Sequence, residues 1–309
     1  MRTKAVLLSS VSVAAAAAGV SAAHAAPPAP APYDGFFYSV EGGALFSKNT
    51  AFDDKVDEFS GFPGIVDVSG FPSDVGYHAG FSIGHQIDNL WDVNFAFAAN
   101  RLIDNDASLF ASGGTGSVSL GMTTNFAFET GDFEVGYRPE LGNDLKVRLF
   151  AGVRALHFTE NMDKSGTSSG ISSGFFQSST SAEFFGAGPR VGVSIAKRFD
   201  GSNFGLSGSL AGAVIVGRQT TTTSYLESIG GPSELPGASE TKTVVDVEGN
   251  LGLDYYLNDL TTLTVGYHAE NLTNIPTGPQ FNFSGPPSSE QPVSNKLVHG
   301  PFLKLSGGF

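Results

Sequence analysis

Eleven charged or titratable residues stand where a period-two pattern turns them toward one common side: Asp132, Glu134, Arg148, Arg154, Arg190, Asp246, Glu248, Asp254, His268, Glu270 and Lys304. Such a set is open to more than one chemistry. Acids on one wall and guanidinium groups on another impose a transverse field on a water-filled lumen, and such a field selects ions. The same groups can instead pair as a satisfied polar core, because unpaired buried charge is costly. A barrel hydrolase would need Asp and His facing each other at the loop-side rim. His268 and Glu270 share a face, with Asp246 and Glu248 expected across from them. No nucleophilic serine with a placed histidine and no tripeptide signature accompany them, so no catalytic, cofactor or metal site is expected.

The elements that position these residues are strands. Trp91, Val93, Phe95 and Phe97 alternate with Asp92, Asn94, Ala96 and Ala98, and Val147, Leu149, Ala151 and Val153 alternate with Arg148 and Arg154. A period of two marks a strand with two different environments on its faces. Ten strands are expected, over 35–48, 75–87, 91–102, 122–138, 146–160, 182–197, 204–219, 241–257, 260–272 and 297–309. Eight or twelve remain alternatives, since 103–131 has room for a further hairpin. In the fourth strand the phase changes near Gly131, with Phe126 and Phe128 before it and Phe133, Val135 and Tyr137 after it, which predicts a bulge there. Pro189 and Pro301 each predict a bulge or a strand end, because a closed sheet has no edge to hide a missing N–H.

The connections fall into two classes. Those at 88–89, 139–145, 198–203 and 258–259 are short; those at 49–74, 103–121, 161–181, 220–240 and 273–296 are long, polar and rich in Gly and Ser. Short periplasmic turns and long extracellular loops are the pattern of an outer-membrane barrel. Trp91, Tyr137, Tyr255, Tyr256 and Phe309 fall at turn-side ends, and Phe46, Tyr77, Phe158 and Tyr267 near loop-side ends, as two aromatic girdles require. The acidic loop 49–74 has no calcium-loop pattern. It reads as a solvated loop, with divalent bridging to lipopolysaccharide as the sharper alternative.

The ends and the composition agree. Arg2 and Lys4, the alanine-rich stretch from Ala5 to Val20 and the small residues of Ala23-His24-Ala25 predict a signal peptide over 1–25. An Ala/Pro-rich tether follows over 26–34, and the barrel occupies 35–309. Removing Arg2 and Lys4 leaves 15 basic residues against 30 acidic ones, a net charge of −15, which argues against a nucleic-acid partner. No cysteine is present, so disulfides and thiolate metal sites are excluded. After the leader, no apolar stretch approaches the ~18 residues of a spanning helix, and a spanning chain without such helices must be a closed barrel. A soluble β-sandwich is the competing fold. It does not require so many large apolar residues facing outward.

Three segments resemble the Legionella-type major outer membrane protein family, a pore-forming family: Asp132-Phe-Glu-Val-Gly-Tyr-Arg138, Leu149-Phe-Ala-Gly-Val-Arg154 and Phe185-Gly-Ala-Gly-Pro-Arg-Val-Gly192. They occur in the family's order, and the resemblance is clearest over 132–217. It implies an outer-membrane porin-like barrel. The family's best-known members form disulfide-linked oligomers, which a chain without cysteine cannot do.

The expectation is therefore an all-β, transmembrane, antiparallel up-and-down barrel in the cell outer membrane, passing small solutes or ions through a narrow lumen lined by the eleven residues above. The alternatives are a surface adhesion or structural barrel acting through its long loops and, less favoured, a barrel hydrolase. The expected partners are outer-membrane lipid and lipopolysaccharide, small solutes, the barrel-assembly machinery through a terminal strand ending in Phe309, and a further copy of the chain in a homo-oligomer.

Overall fold

The computed structural model describes residues 35–48, 65–70, 73–113, 116–139, 145–170, 173–227, 231–276 and 293–308. The expected signal peptide, the tether, Phe309 and most of the acidic loop 49–74 lie outside the described residues. Those described form eleven antiparallel strands: β1 (Phe36–Lys48), β2 (Ile65–Gly70), β3 (Ser73–Gln86), β4 (Trp91–Gly113), β5 (Gly116–Tyr137), β6 (Leu145–Gly170), β7 (Gly174–Arg198), β8 (Phe204–Glu227), β9 (Gly231–Tyr256), β10 (Thr261–Pro276) and β11 (Val293–Gly308).

The sheet closes on itself, since β1 pairs with both β3 and β11 and β4 pairs with β5. β2 and β3 share one place in the ring: β2 runs along Ala107–Ser112 of β4, and β3 takes over below Ile103. The ring therefore has ten positions, one of them filled by two consecutive strands. Outward positions carry large exposed apolar side chains such as Phe81, Phe95, Phe133, Leu149, Val191 and Leu253, while inward ones are buried. Apolar-out, polar-in alternation around a closed ring is what a lipid environment selects.

The turn side is tightly built. Asp88 Oδ1 accepts from the Leu90 and Trp91 amides, each at 2.7 Å, and Asn258 Oδ1 accepts from the Leu260 amide at 2.8 Å. Such local bonds are why Asp and Asn occupy turns. The lower girdle includes the Trp91–Tyr137 pair, with centroids 5.0 Å apart, and the Phe204–Tyr255 pair at 5.1 Å. Tyr256 and Phe158, expected in the girdles, point inward and are buried.

Three sequence expectations about the strands are corrected. First, there is no bulge at Gly131, which pairs in register with both Phe97 and Ala155. Phe126 and Phe128 keep the inward phase of Thr130, Asp132 and Glu134; they are lumenal rather than lipid-facing. The observed register shifts lie nearer the loop side, at Leu102/Asn105, Thr221/Thr223 and Leu272/Ile275. Second, much of 103–121, 161–181 and 220–240 is strand, so β4–β9 stand well beyond the apolar band as paired hairpins. These stretches are rich in Ser and Thr and carry little alternation to read. Third, neither proline ends a strand or shifts the register. Pairing of β7 with β8 lapses only between Ala187 and Arg190, and pairing of β1 with β11 only between Gly43 and Phe46. In each case the proline faces the other neighbour in register, Val153 or Tyr267.

Each proline follows a glycine, and the glycine lets the neighbouring strand close in. A Cβ on Gly188 would lie 1.8 Å from the Val214 carbonyl oxygen, and one on Gly300 would lie 1.9 Å from that of Ala44. Gly188→Ala is expected to lower stability by about 1–3 kcal/mol, the usual range for overpacking. Gly212→Ala, whose Cβ would meet only the Asp246 carbonyl oxygen at 3.6 Å, should change little. Urea midpoints of the two variants in detergent check this; equal midpoints would refute the steric account.

Candidate functional site: the barrel lumen

On the turn side the lumen holds a connected lattice of ion pairs. Asp92 accepts from Arg138 Nε at 2.8 Å and from Arg148 Nη2 at 2.8 Å. Arg148 Nη1 donates to Glu134 Oε2 at 2.9 Å, and Glu134 Oε1 accepts from Arg190 Nε at 3.1 Å. Arg190 also bonds Glu248, which accepts from Arg154 Nη2 at 3.0 Å. The Phe150 ring supports the arginines, with the guanidinium carbons of Arg148 and Arg190 at 5.0 and 5.5 Å from its centroid.

Arg154 is the hub. It grips Asp132, its directly paired neighbour on β5, in a two-bond fork of 2.7 Å each. Its other donors reach across the lumen to Asp246, Glu248 and, at 3.4 Å, Glu270. The side chain is 0% exposed. Forked guanidinium–carboxylate bonds are among the strongest polar contacts available and fix orientation as well as energy.

The lattice continues through histidines. His268 Nε2 lies 3.5 Å from Glu270 Oε2, and its ring stacks on His78 with centroids 5.3 Å apart. His78 in turn contacts Glu41 Oε1 at 2.8 Å and Asn100 Oδ1 at 2.7 Å. Asp254 accepts from the Ser207 and Thr264 hydroxyls, and Lys304 lies with Nζ 5.8 Å from the Phe302 centroid.

All eleven residues singled out in the sequence are inward and buried. Their arrangement differs from the expectation of opposed walls. Acids of β9 and β10 meet arginines of β6 and β7 across the lumen, so the charges are paired rather than held apart. The His268–Glu270–Asp246–Glu248 group is not at the loop-side rim. It sits in mid-barrel against Arg154, beneath an apolar layer. Sequence reasoning passed over Glu41, His78, Asp92, Asn100 and Arg138 as members of this set. Alternation had already turned Asp92 inward, but which distant side chains meet across a closed ring is not encoded in any local pattern.

Acids exceed fixed cations in this half of the lumen. Among the buried side chains, Glu41, Asp92, Asp132, Glu134, Asp246, Glu248, Asp254 and Glu270 face Arg148, Arg154, Arg190 and Lys304, with Arg138, Lys146 and Arg198 at the turn-side mouth. Among the described residues no group of three or more His, Asp or Glu side chains is arranged to hold a metal ion.

Toward the loops the character changes. Leu45, Leu102, Phe126, Phe128, Leu156, Phe158, Phe184, Ile215, Val244, Leu272, Ile275 and Val298 form one buried apolar cluster. Phe158 is its centre, with ring centroids 5.1 Å from Phe184 and 5.9 Å from Phe126. Beyond it the lumen turns polar again: Lys296 Nζ pairs with Asp74 Oδ2 at 3.1 Å and lies 5.2 Å from the Phe126 centroid, near the buried Glu160. An apolar layer thus separates two charged ones.

Residues 38–307 match the family model described as Legionella pneumophila major outer membrane protein precursor. No individual curated protein matches the chain. Among solved structures, the outer membrane protease OmpT from Escherichia coli is similar over 89% of this chain and 97% of its own, with a TM-score of 0.53 and 11% identity. The translocator domain of the autotransporter NalP from Neisseria meningitidis covers 89% of each chain, with a TM-score of 0.36 and 10% identity. The attachment invasion locus protein Ail of Yersinia pestis matches 90% of this chain and 100% of its own, with a TM-score of 0.31 and 10% identity. At 11% identity the likeness to OmpT is one of fold.

Proposed function

Because this chain belongs to the Legionella pneumophila major outer membrane protein family, we propose that its outer-membrane barrel is a narrow, cation-preferring channel held shut at rest by the apolar layer. The carrying observation is the surplus of inward carboxylates. A lumen serving only as a packed core gains most from balanced pairs, because each uncompensated buried charge is costly. Eight buried acids against four buried fixed cations, with three more cations at the turn-side mouth, leave a negative potential in mid-lumen that protons, water or entering cations must offset. The conducting state needs only a small outward movement of the Phe126, Phe158 and Phe184 rings, after which the ionic lattice acts as the selective segment.

Recordings of the refolded protein in planar bilayers test this. Rare openings of low conductance, with reversal potentials favouring K⁺ over Cl⁻, are expected. The paired substitution Asp246→Asn and Glu270→Gln removes two carboxylates with little change of shape and should move the reversal potential toward the anion side. Complete silence at all voltages would sink the channel reading.

A surface role through the loop-side hairpins is the second reading, favoured by the length of β4–β9 beyond the apolar band. It does not need an open lumen. Silence in bilayers together with retained binding to a cell surface or an extracellular ligand would select it.

A further inference from the structure

On the outside of the barrel, near the loop-side end of the apolar band, a polar row crosses consecutive strands: Arg101 on β4, Glu129 on β5, His157 on β6, Glu183 on β7, Arg218 on β8 and Ser239 on β9. Glu129 faces His157 in register, and Arg101, Glu183 and Ser239 lie on one register line, which climbs toward the loops from β4 to β9 because the strands are tilted. Below them the same faces carry Phe133, Val153, Phe185 and Val216, all exposed and apolar. From Lys146 to His157, about eleven residues at ~3.3 Å each and a tilt near 40°, the rise is about 28 Å, close to the ~25 Å apolar band of such barrels. Glu129 and His157 thus stand at the loop-side boundary of the bilayer, and the row climbs from them through Glu183 and Arg218 into the headgroup region of the outer leaflet.

The row is ordered from within. His157 bridges the two acids, Nδ1 at 3.6 Å from Glu129 Oε2 and Nε2 at 3.3 Å from Glu183 Oε1. The acids remain 55% and 66% exposed. Arg218 Nε donates to Ser239 Oγ at 2.6 Å, which aims the guanidinium along the sheet surface and leaves its other nitrogens free of that bond. Arg101 is also exposed on the outer face.

We propose that this row is a binding site for the phosphorylated headgroup of lipopolysaccharide. The guanidinium groups of Arg101 and Arg218 take its phosphates in forked, charge-assisted bonds. Glu129 and Glu183 share divalent cations with the same phosphates, and the acyl chains lie on Phe133, Val153, Phe185 and Val216. The continuity of the row with the lipid-facing band argues for a lipid over a protein partner, and the arginines at its flanks argue for a phosphate-bearing one.

The test uses the full barrel in detergent micelles, titrated with bisphosphorylated lipid A, dephosphorylated lipid A or phosphatidylglycerol, with bound lipid counted by native mass spectrometry. Bisphosphorylated lipid A is expected to bind best, and to bind more weakly once Mg²⁺ is chelated. Arg101→Ala with Arg218→Ala should weaken it at least about tenfold, as loss of two charge-assisted contacts implies. Equal binding of dephosphorylated lipid A to the unaltered barrel would overturn the proposal, whatever the fate of the variant. So would unchanged lipid A affinity in the folded double variant. A preference for phosphatidylglycerol would overturn it in favour of general anionic-lipid contact.

Discussion

Replacing Arg154 by alanine is expected to destabilise the barrel by about 3–5 kcal/mol, the range found when one partner of a buried ion pair is removed. The reason is the number of acids that lose their counter-charge at once. Asp132 loses a two-bond fork, while Asp246, Glu248 and Glu270 lose the one guanidinium that joins β6 to β9 and β10. Glu248 keeps Arg190, but Asp246 and Glu270 retain no other fixed cation in the contacts described. Methionine in the same place should not rescue the barrel, because it fills the volume and leaves the carboxylates uncompensated. Arg148→Ala should cost less, since Asp92 is also held by Arg138 and Glu134 by Arg190. The single tryptophan, Trp91, packs against Tyr137 at the lower girdle and reports unfolding by fluorescence. A urea midpoint for Arg154→Ala equal to that of the unaltered protein would show that the lattice is not holding the ring together.

Much of the ring was legible because a lipid-facing barrel imposes a strict period of two. Val147, Leu149, Ala151 and Val153 against Arg148 and Arg154 could be assigned to opposite faces without any structure, and closure followed from the lack of an apolar stretch long enough for a spanning helix. What alternation does not state is which face an aromatic residue prefers. Phe126 and Phe128 looked like lipid-facing residues out of phase, and a bulge at Gly131 was the price of that assumption. The lumen of a ten-position ring is narrow enough for side chains to fill it as they fill a soluble core, so phenylalanine is at home on either face. The loop-side hairpins were hidden for a related reason. Thr220, Thr221, Thr222 and Thr223 run without contrast in polarity, yet they pair in β8 because β-branched side chains suit a pleated backbone. The candidate site was visible as a list and not as a lattice. Asp132 and Arg154 meet through local register, but Arg154 and Asp246 are 92 residues apart and meet only because the ring closes.

Phe158→Ala is expected to raise ion flux through the barrel about tenfold or more, the factor that follows when a barrier falls by about 1.4 kcal/mol. Phe158 lies between Phe126 and Phe184 in a row of rings that spans β5 to β7, and it is fully buried. Truncation removes the middle ring and leaves a gap bounded by Leu156, Ile215 and the two outer rings. A gap connecting the polar Lys296–Asp74 side with the Arg154 lattice lets water bridge two layers that each already attract it. The same truncation should cost about 3–5 kcal/mol of stability, as buried Phe→Ala changes do. Phe158→Leu keeps the layer apolar and most of its volume, so it should lose less stability and leave the channel shut. The pair of variants separates gating from unfolding: a leaky barrel produced by general loosening would conduct in proportion to lost stability, whichever residue was changed. Gly188→Ala supplies that comparison: it is destabilising yet leaves all three rings in place, since it lies two inward positions below Phe184 and presses on the backbone of Val214 and Ile215. If Phe158→Ala conducts no better than Gly188→Ala at matched stability, the apolar layer is not the gate. A large difference assigns to three phenylalanine rings the closed state of the lumen.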